Sequence, residues 1–270
     1  LRELYLQLQH LNRIKNPIVN RIRQQLCHEW PEVAEREVRR DWLKPNPPGL
    51  WKAIGGEWSV KWRKEQERSI GTGISSFSQG LAQQLCQLEQ QEYQIELRIQ
   101  QELNKPCYAP YMEVFSRYLI SDRTSVALLG VIYPIQKFLK PNGKCIVEKV
   151  QTKKGKTATR NRSLAAFKLA CGVGMVWHQS GSYEGWMPGG RSDIRTALWR
   201  WCKMAIVIQS IQSKDSEALA SLRSYYEKGT DQRIEGEIQH FNPGIRNQRV
   251  MRVVRRMLER LFKDLLKAVF

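Results

Sequence analysis

Two apolar stripes at helical spacing constrain this chain more than any other feature. Leu4, Leu8, Leu11, Ile14, Ile18, Ile22 and Leu26 recur every three or four positions across residues 1–30, and Leu81, Leu85, Leu88, Ile95, Ile99 and Leu103 do the same across 79–104. Only an α-helix places such a spacing on one face. The stripes are narrow and the opposite faces polar, which suits pairing with another helix. The two helices are therefore expected to lie antiparallel, as a long coiled-coil-like hairpin that serves dimerisation or spacing rather than chemistry. Pro17 should kink or restart the first helix, and Glu92 leaves a gap in the second stripe.

The segment between the stripes has a different character. Three prolines, Pro45, Pro47 and Pro48, fall within four residues, so no regular helix passes there. Trp42, Trp51, Trp58 and Trp62 make this insertion, residues 41–64, rich in tryptophan. Set among Lys52, Lys61, Arg63 and Lys64, they could stack on bases. The preferred reading is that they close a small hydrophobic cluster under a loop.

Asn104-Lys105-Pro106, reinforced by Pro110, marks a boundary. Two regions follow from it: a helical region at 1–105 and a second domain at 106–270. In the second, residues 111–139 read as two short helices broken around Ser121-Asp122-Arg123, and Pro141-Asn142-Gly143 as a turn. Helices are expected at 163–171, at 192–213 with Ser192 as N-cap and Asp193 in its first turn, at 215–228 and at 245–270, with a turn at Asn242-Pro243-Gly244. The fold class is mainly α: a helical hairpin followed by a compact helical domain.

Charge narrows the partners. Lysine and arginine total 44 against 26 acidic residues, a net charge of +18. Such an excess fits a polyanion rather than a small metabolite. No apolar run is long enough to span a membrane, and Leu1-Arg2-Glu3-Leu4 is no secretory signal. The six cysteines form no C-x-x-C pair, so they read as small buried thiols of a reducing cytoplasm rather than metal ligands.

The basic residues cluster in two places. Residues 149–162 carry six positive charges, Lys149, Lys153, Lys154, Lys156, Arg160 and Arg162, and no negative one. With Gly155 and three threonines they read as a mobile basic loop suited to phosphate contacts. The final helix holds eight basic residues against Glu259 and Asp264. Arg249, Arg252, Arg256, Arg260, Lys263 and Lys267 share one face, and Val250, Val254, Met257, Leu261 and Leu265 supply the buried one. That face either contacts a nucleic-acid backbone or is simply solvated.

The segment Gly172–Arg195 offers a candidate for chemistry. Ser180 is followed by Gly181, which would let another backbone approach. Gly190 precedes a helix whose start could bind an anion, beside Arg191 and Arg195. A serine next to a phosphate-binding helix start is a workable arrangement for attack on a phosphodiester. Ser182 competes with Ser180, and His178 lies two residues before it.

This segment resembles the C-terminal, serine-carrying part of transposases of insertion-sequence family 110, relatives of the Piv-type invertases and bridge-RNA-guided recombinases. Gly172-Val173-Gly174-Met175 stands for the family's G-L-x-P stretch, Ser180-Gly181 for its Ser-Gly, and Gly190–Leu198 for the glycine and arginine that follow. Similarity extends to Asn20-Arg21-Ile22-Arg23, Phe138, Ser163–Phe167, Tyr225–Gly229 and the basic final helix. Met175 departs from the family's proline, and Ile120–Ser125 lacks its hairpin glycines. The segment 149–162 looks inserted, and the tryptophan-rich stretch has no counterpart.

The resemblance implies that Ser180 is a nucleophile that forms a phosphoserine link to DNA, with Arg195 and Arg191 neutralising phosphate charge. Ser180 is preferred to Ser182 because glycine follows it, as in the family. The family's acidic tetrad lies in a RuvC-like N-terminal domain that precedes this region, so magnesium is expected there and no metal ligand here; Asp122, Glu148, Glu184 and Asp193 are scattered. DNA, a structured guide RNA and further copies of the chain, as dimer or tetramer, are the implied partners, in the bacterial cytoplasm at the nucleoid. The alternative is a non-catalytic nucleic-acid-binding and dimerisation module left from such an element.

Overall fold

The computed structural model describes residues 1–151, 157–181, 183–208, 217–231 and 243–270. Lys153, Lys154, Lys156 and Ser182 lie outside the described residues, as do the start of the predicted 215–228 helix and Asn242. The architecture is mainly helical, and the chain divides into two units, Glu3–Glu102 and Leu103–Phe270.

In the first unit, α1 (Arg2–Glu29) runs unbroken through Pro17. The expected restart does not occur. Leu8 and Leu11 before the proline and Ile22 and Leu26 after it are all buried, and holding the stripe on both sides outweighs one lost backbone hydrogen bond. Short helices α2 (Pro31–Ala34), α3 (Gly49–Ile54) and α4 (Val60–Glu67) precede α5 (Ser76–Leu103). The prolines keep residues 41–48 irregular. Ile22, Leu26, Trp30, Leu50, Trp51, Ile54 and Leu85 form one core cluster, with Trp58 and Trp62 packed against it. The Trp30 ring lies 5.9 Å from Trp58 and 6.0 Å from Trp62. Trp51, Trp58 and Trp62 thus close a core, as the preferred reading has it, rather than standing free to stack on bases.

The gap at Glu92 is no weakness in the stripe. Glu89, Glu92 and Glu96 recur on the inner face of α5, where Lys15 and Arg40 meet them. Arg40 grips Glu96 with two nitrogens at 2.7 and 2.6 Å and reaches Glu89 at 2.9 Å. Lys15 bonds Glu89 at 2.9 Å and also Glu92. Burial works against the Arg40 charge, but its hydrogen bond to Glu96 and the surrounding carboxylates outweigh burial and hold its pKa above the ordinary value. The contacts descend on α5 as they ascend on α1: Lys15 meets Glu89 and Glu92, and Leu26 shares a core with Leu85.

In the second unit, α6 (Ala109–Arg117) and α7 (Asp122–Ile132) realise the expected pair. A two-stranded ribbon, β1 (Val147–Gln151) with β2 (Thr157–Asn161), then leads into α8 (Arg162–Ala170). A second ribbon, β3 (Met175–Ser180) with β4 (Tyr183–Pro188), leads into α9 (Ser192–Cys202). Helices α10 (Glu217–Asp231) and α11 (Pro243–Val269) complete it, with Pro243 and Gly244 inside α11 rather than in a turn before it. The described part of 149–162 is therefore mostly strand and not loop, and Arg162 opens α8.

Helix α11 is the spine of this unit and packs against α6, α8, α9 and α10. Val250, Val254, Met257, Leu261 and Leu265 are all fully buried, as their spacing predicts. Phe167 bridges Phe138 and Phe262, with ring centroids 5.5 and 4.9 Å away. Two polar ties fix the end of α6: the Tyr118 hydroxyl donates to the half-buried Asp264 at 2.6 Å, and Trp201 Nε1 donates to the buried Tyr118 carbonyl at 2.8 Å. Helix α9 ends at Cys202 and continues as a π-turn, Lys203–Val207. Arg223 of α10 donates to the Ala205 carbonyl that this turn offers.

Candidate functional site

The motif from Gly172 to Arg195 folds as a ribbon on a locked base. Its register pairs Met175 with Pro188, Trp177 with Trp186, His178 with Gly185 and Ser180 with Tyr183. Gly181 takes φ +54 at the tip, and a side chain there would meet nothing within 4 Å. The left-handed backbone of the turn is what the glycine serves within the chain, and the space around it is open.

The base is built where α8 ends. Gly172, Val173 and Gly174 donate to the last free carbonyls of α8, at Leu169 and Lys168. Gly172 (φ +76) and Gly190 (φ +81) both sit in the left-handed region, where an added Cβ on Gly172 would overlap the Arg191 carbonyl and one on Gly190 the Leu169 carbonyl. Only glycine fits either place. Gly189 N donates to the Gly174 carbonyl at 2.8 Å. Arg195 then reaches back from α9, donating to the Gly172 carbonyl at 2.6 Å and to that of Pro188 at 3.5 Å. Arg255 of α11 supports the same corner through the Val173 carbonyl at 3.5 Å and Met175 Sδ at 3.6 Å.

The structure brings Gly172, Gly190 and Arg195 together but does not bring Ser180 to them. Ser180 lies five strand residues beyond Met175, roughly 17 Å of extended chain from the base. Arg195 is held by carbonyls, and Arg191 forms a two-pronged pair with Asp193 at 3.0 and 2.6 Å. Arg191, not Ser192, occupies the cap position of α9, with no side-chain cap. Asp193, in the first turn of α9, is the partner that Arg191 holds. His178 shares a face of β3 with Ser180 because side chains alternate along a strand. Its cross-strand neighbour is Gly185, which leaves that face open beside it. All six residues of β3 are exposed.

The basic residues occupy two surfaces of the second unit. Lys149 and Arg160 stand exposed on the β1–β2 ribbon, and Arg162, at its root, pairs with Glu148 at 2.7 Å. On α11, Arg252, Lys263 and Lys267 are exposed and Arg249 is partly buried. Arg256 pairs with Glu259 at 3.2 Å, and Arg260 is drawn to Ser221 and the Ala218 carbonyl of α10. Arg255 was missed by the helical stripe because it lies off that face, and no sequence signal ties it to the ribbon.

Among the described residues no group of three or more aspartate, glutamate, histidine or cysteine side chains is arranged to hold a metal ion. Glu148 and Asp193 are each bound to an arginine, and the convergent carboxylates of α5 already hold Lys15 and Arg40. Burial pushes the Cys202 thiol up to about 12, and raises that of Cys171 further. These two are inert buried thiols, whereas Cys27 and Cys107 are exposed, contrary to expectation. Among the described residues no helix is long and apolar enough to cross a membrane. No family model, curated protein or solved structure matches the chain.

Proposed function

We propose that this chain is the DNA-handling, serine-carrying half of a transposase or site-specific recombinase. The observation that carries the reading is the β3–β4 ribbon. It holds an exposed Ser-Gly tip on a base fastened by Gly172, Gly190 and Arg195, the other fixed points of the motif. An exposed tip can reach the backbone of a DNA strand. In the proposed step Ser180 Oγ loses its proton and attacks phosphorus in line. One P–O bond of the strand breaks, its oxygen leaves as a hydroxyl after taking a proton, and the other end stays on the serine as a phosphodiester. A second strand's hydroxyl reverses the step and joins the strands.

His178, on the same face of β3, is the group assigned to take the proton. Arg191 and Arg195 would have to leave Asp193 and the Gly172 carbonyl to neutralise the phosphate. The exposed cations of β1–β2 and α11 supply backbone attraction, in keeping with a net charge of +18. The same reading takes a guide RNA as a second nucleic acid, assembly with further copies through the α1–α5 pair, and an acidic magnesium-binding module as partner, all in the bacterial cytoplasm.

The test is a trapped adduct. The chain, with a RuvC-like module added in trans, is incubated with nicked duplex DNA. A covalent protein–DNA species that maps to Ser180 by mass spectrometry is expected, and Ser180→Ala should lose it while still binding DNA. A second reading, a binding module without chemistry, draws on the engagement of both arginines away from Ser180. It predicts no adduct at any residue and a log affinity that falls by about 0.7–0.9 per phosphate neutralised as log salt rises.

A further inference from the structure

We infer that the β1–β2 ribbon is a reading arm for the major groove of duplex DNA. The inference rests on the reading of the chain as a DNA-handling protein and names the form of nucleic acid that this surface takes. The ribbon pairs Val147 with Asn161, Lys149 with Thr159 and Gln151 with Thr157. Alternation places these six on one face, and Glu148, Val150, Ala158 and Arg160 on the other. Eight of the ten strand residues are exposed, and only Glu148 and Asn161 are partly buried. Neither face covers a core, and a two-stranded ribbon alone in water is marginally stable. Such an element gains its ordering energy from what it docks on.

The root of the ribbon is fixed. Ile146 N donates to Ser163 Oγ at 2.8 Å, Arg162 N donates to the Ile146 carbonyl at 2.8 Å, and Asn161 Oδ1 caps α8 through Leu164 N at 2.9 Å. The arm therefore projects from a defined point rather than hanging on a tether. Charge names the occupant: residues 149–162 hold six cations and no anion, so the partner is a polyanion.

Shape and side-chain chemistry narrow it further. Strands about 4.8 Å apart make a ribbon that fits a B-form major groove about 12 Å wide. The same face carries Lys149, Gln151, Thr157 and Thr159, all exposed and able to hydrogen-bond base edges, lysine to guanine and glutamine to adenine. Arg160, on the other face, is left to reach phosphate. Duplex RNA is excluded by the same geometry, because its major groove is too deep and narrow for side chains to read.

Binding of the full chain to fluorescent duplex DNA, duplex RNA and single-stranded DNA of matched length, by anisotropy across a salt series, tests this. Duplex DNA should bind most tightly. Arg160→Ala should lower the slope of log affinity against log salt by about 0.9. Gln151→Ala should leave that slope unchanged and weaken discrimination between duplex sequences roughly 5- to 100-fold. Thermal unfolding of each variant reports that the fold is intact. Equal binding of duplex RNA, or unchanged affinity and discrimination in both variants, overturns the reading arm while leaving DNA handling in place. Absence of any DNA binding overturns both.

Discussion

Arg195 of α9 donates to the carbonyl of Gly172, a residue 23 positions earlier, at 2.6 Å. That bond ties the base of the β3–β4 ribbon to α9, as the Gly172 amide ties it to α8. It gives this arginine a clamping contact within the fold, whatever it meets in a complex.

Loss of the clamp should therefore loosen the ribbon. Arg195→Ala is expected to cost about 1.5–3 kcal/mol, the range for hydrogen bonds to charged groups. Amide hydrogen exchange should speed up along β3 and β4 and stay unchanged on α11. Gly190→Ala should cost at least about 1–3 kcal/mol from its left-handed backbone alone, before the overlap with Leu169 is counted. Unchanged exchange in both variants would show that the ribbon does not depend on these contacts.

The buried ionic cluster of the first unit should tolerate no single deletion. Arg40→Ala leaves Glu96 without its guanidinium and Glu89 with Lys15 alone, and is expected to cost about 3–5 kcal/mol. Arg40→Lys keeps the charge but loses the two-pronged grip on Glu96, so it should rescue only part of the loss. Urea denaturation midpoints distinguish the three proteins.

Acid sensitivity should trace to Glu259. Burial raises the pKa of its carboxyl, but the hydrogen bonds and charges of Lys168 and Arg256 outweigh burial and leave it below the ordinary value of 4.5. A folded-state pKa below the unfolded one contributes stability at pH above the unfolded value. That contribution is lost as pH falls through the lowered folded value. Glu259→Gln should accordingly be less stable than the parent at neutral pH, and the gap should close below about pH 4.5. A gap that persists into acid would assign the loss to packing instead.

The exposed cations of α11 should act on nucleic acid as a group. Arg252→Ala and Lys263→Ala should each reduce the salt slope of duplex binding by about 0.9 without changing sequence preference. Arg260→Ala, whose guanidinium is turned toward α10, should leave the slope unaltered and lower the melting temperature.

The parts legible in the sequence are those that bury one face. Leu8, Leu11, Ile22 and Leu26 announced α1, and Val250, Val254 and Met257 announced α11, because water exclusion selects a period that any reader can count. The ribbons escaped for the converse reason. Thr157-Ala158-Thr159-Arg160 is open on both faces, so nothing selects alternation of polar and apolar residues. Glu89, Glu92 and Glu96 escaped because carboxylates at helical spacing read as a solvated face until Lys15 and Arg40 are brought to them from far along the chain. At the candidate site, glycine positions were legible as constraints, since Gly172 and Gly190 do require a backbone that other residues resist. What held them was not: Arg195 looks the same in sequence whether it meets a phosphate or a carbonyl.

The ribbon that carries Ser180 also imposes a parity rule. Because successive strand residues face opposite ways, one residue added to β3 and one to β4 would turn the serine over to the other face. Two added to each would return it to the same face about 7 Å farther from Gly172 and Gly190. Reach can therefore be adjusted only in paired steps. A chain of this design can change the depth to which its tip probes without rebuilding the base, provided each strand changes by even numbers.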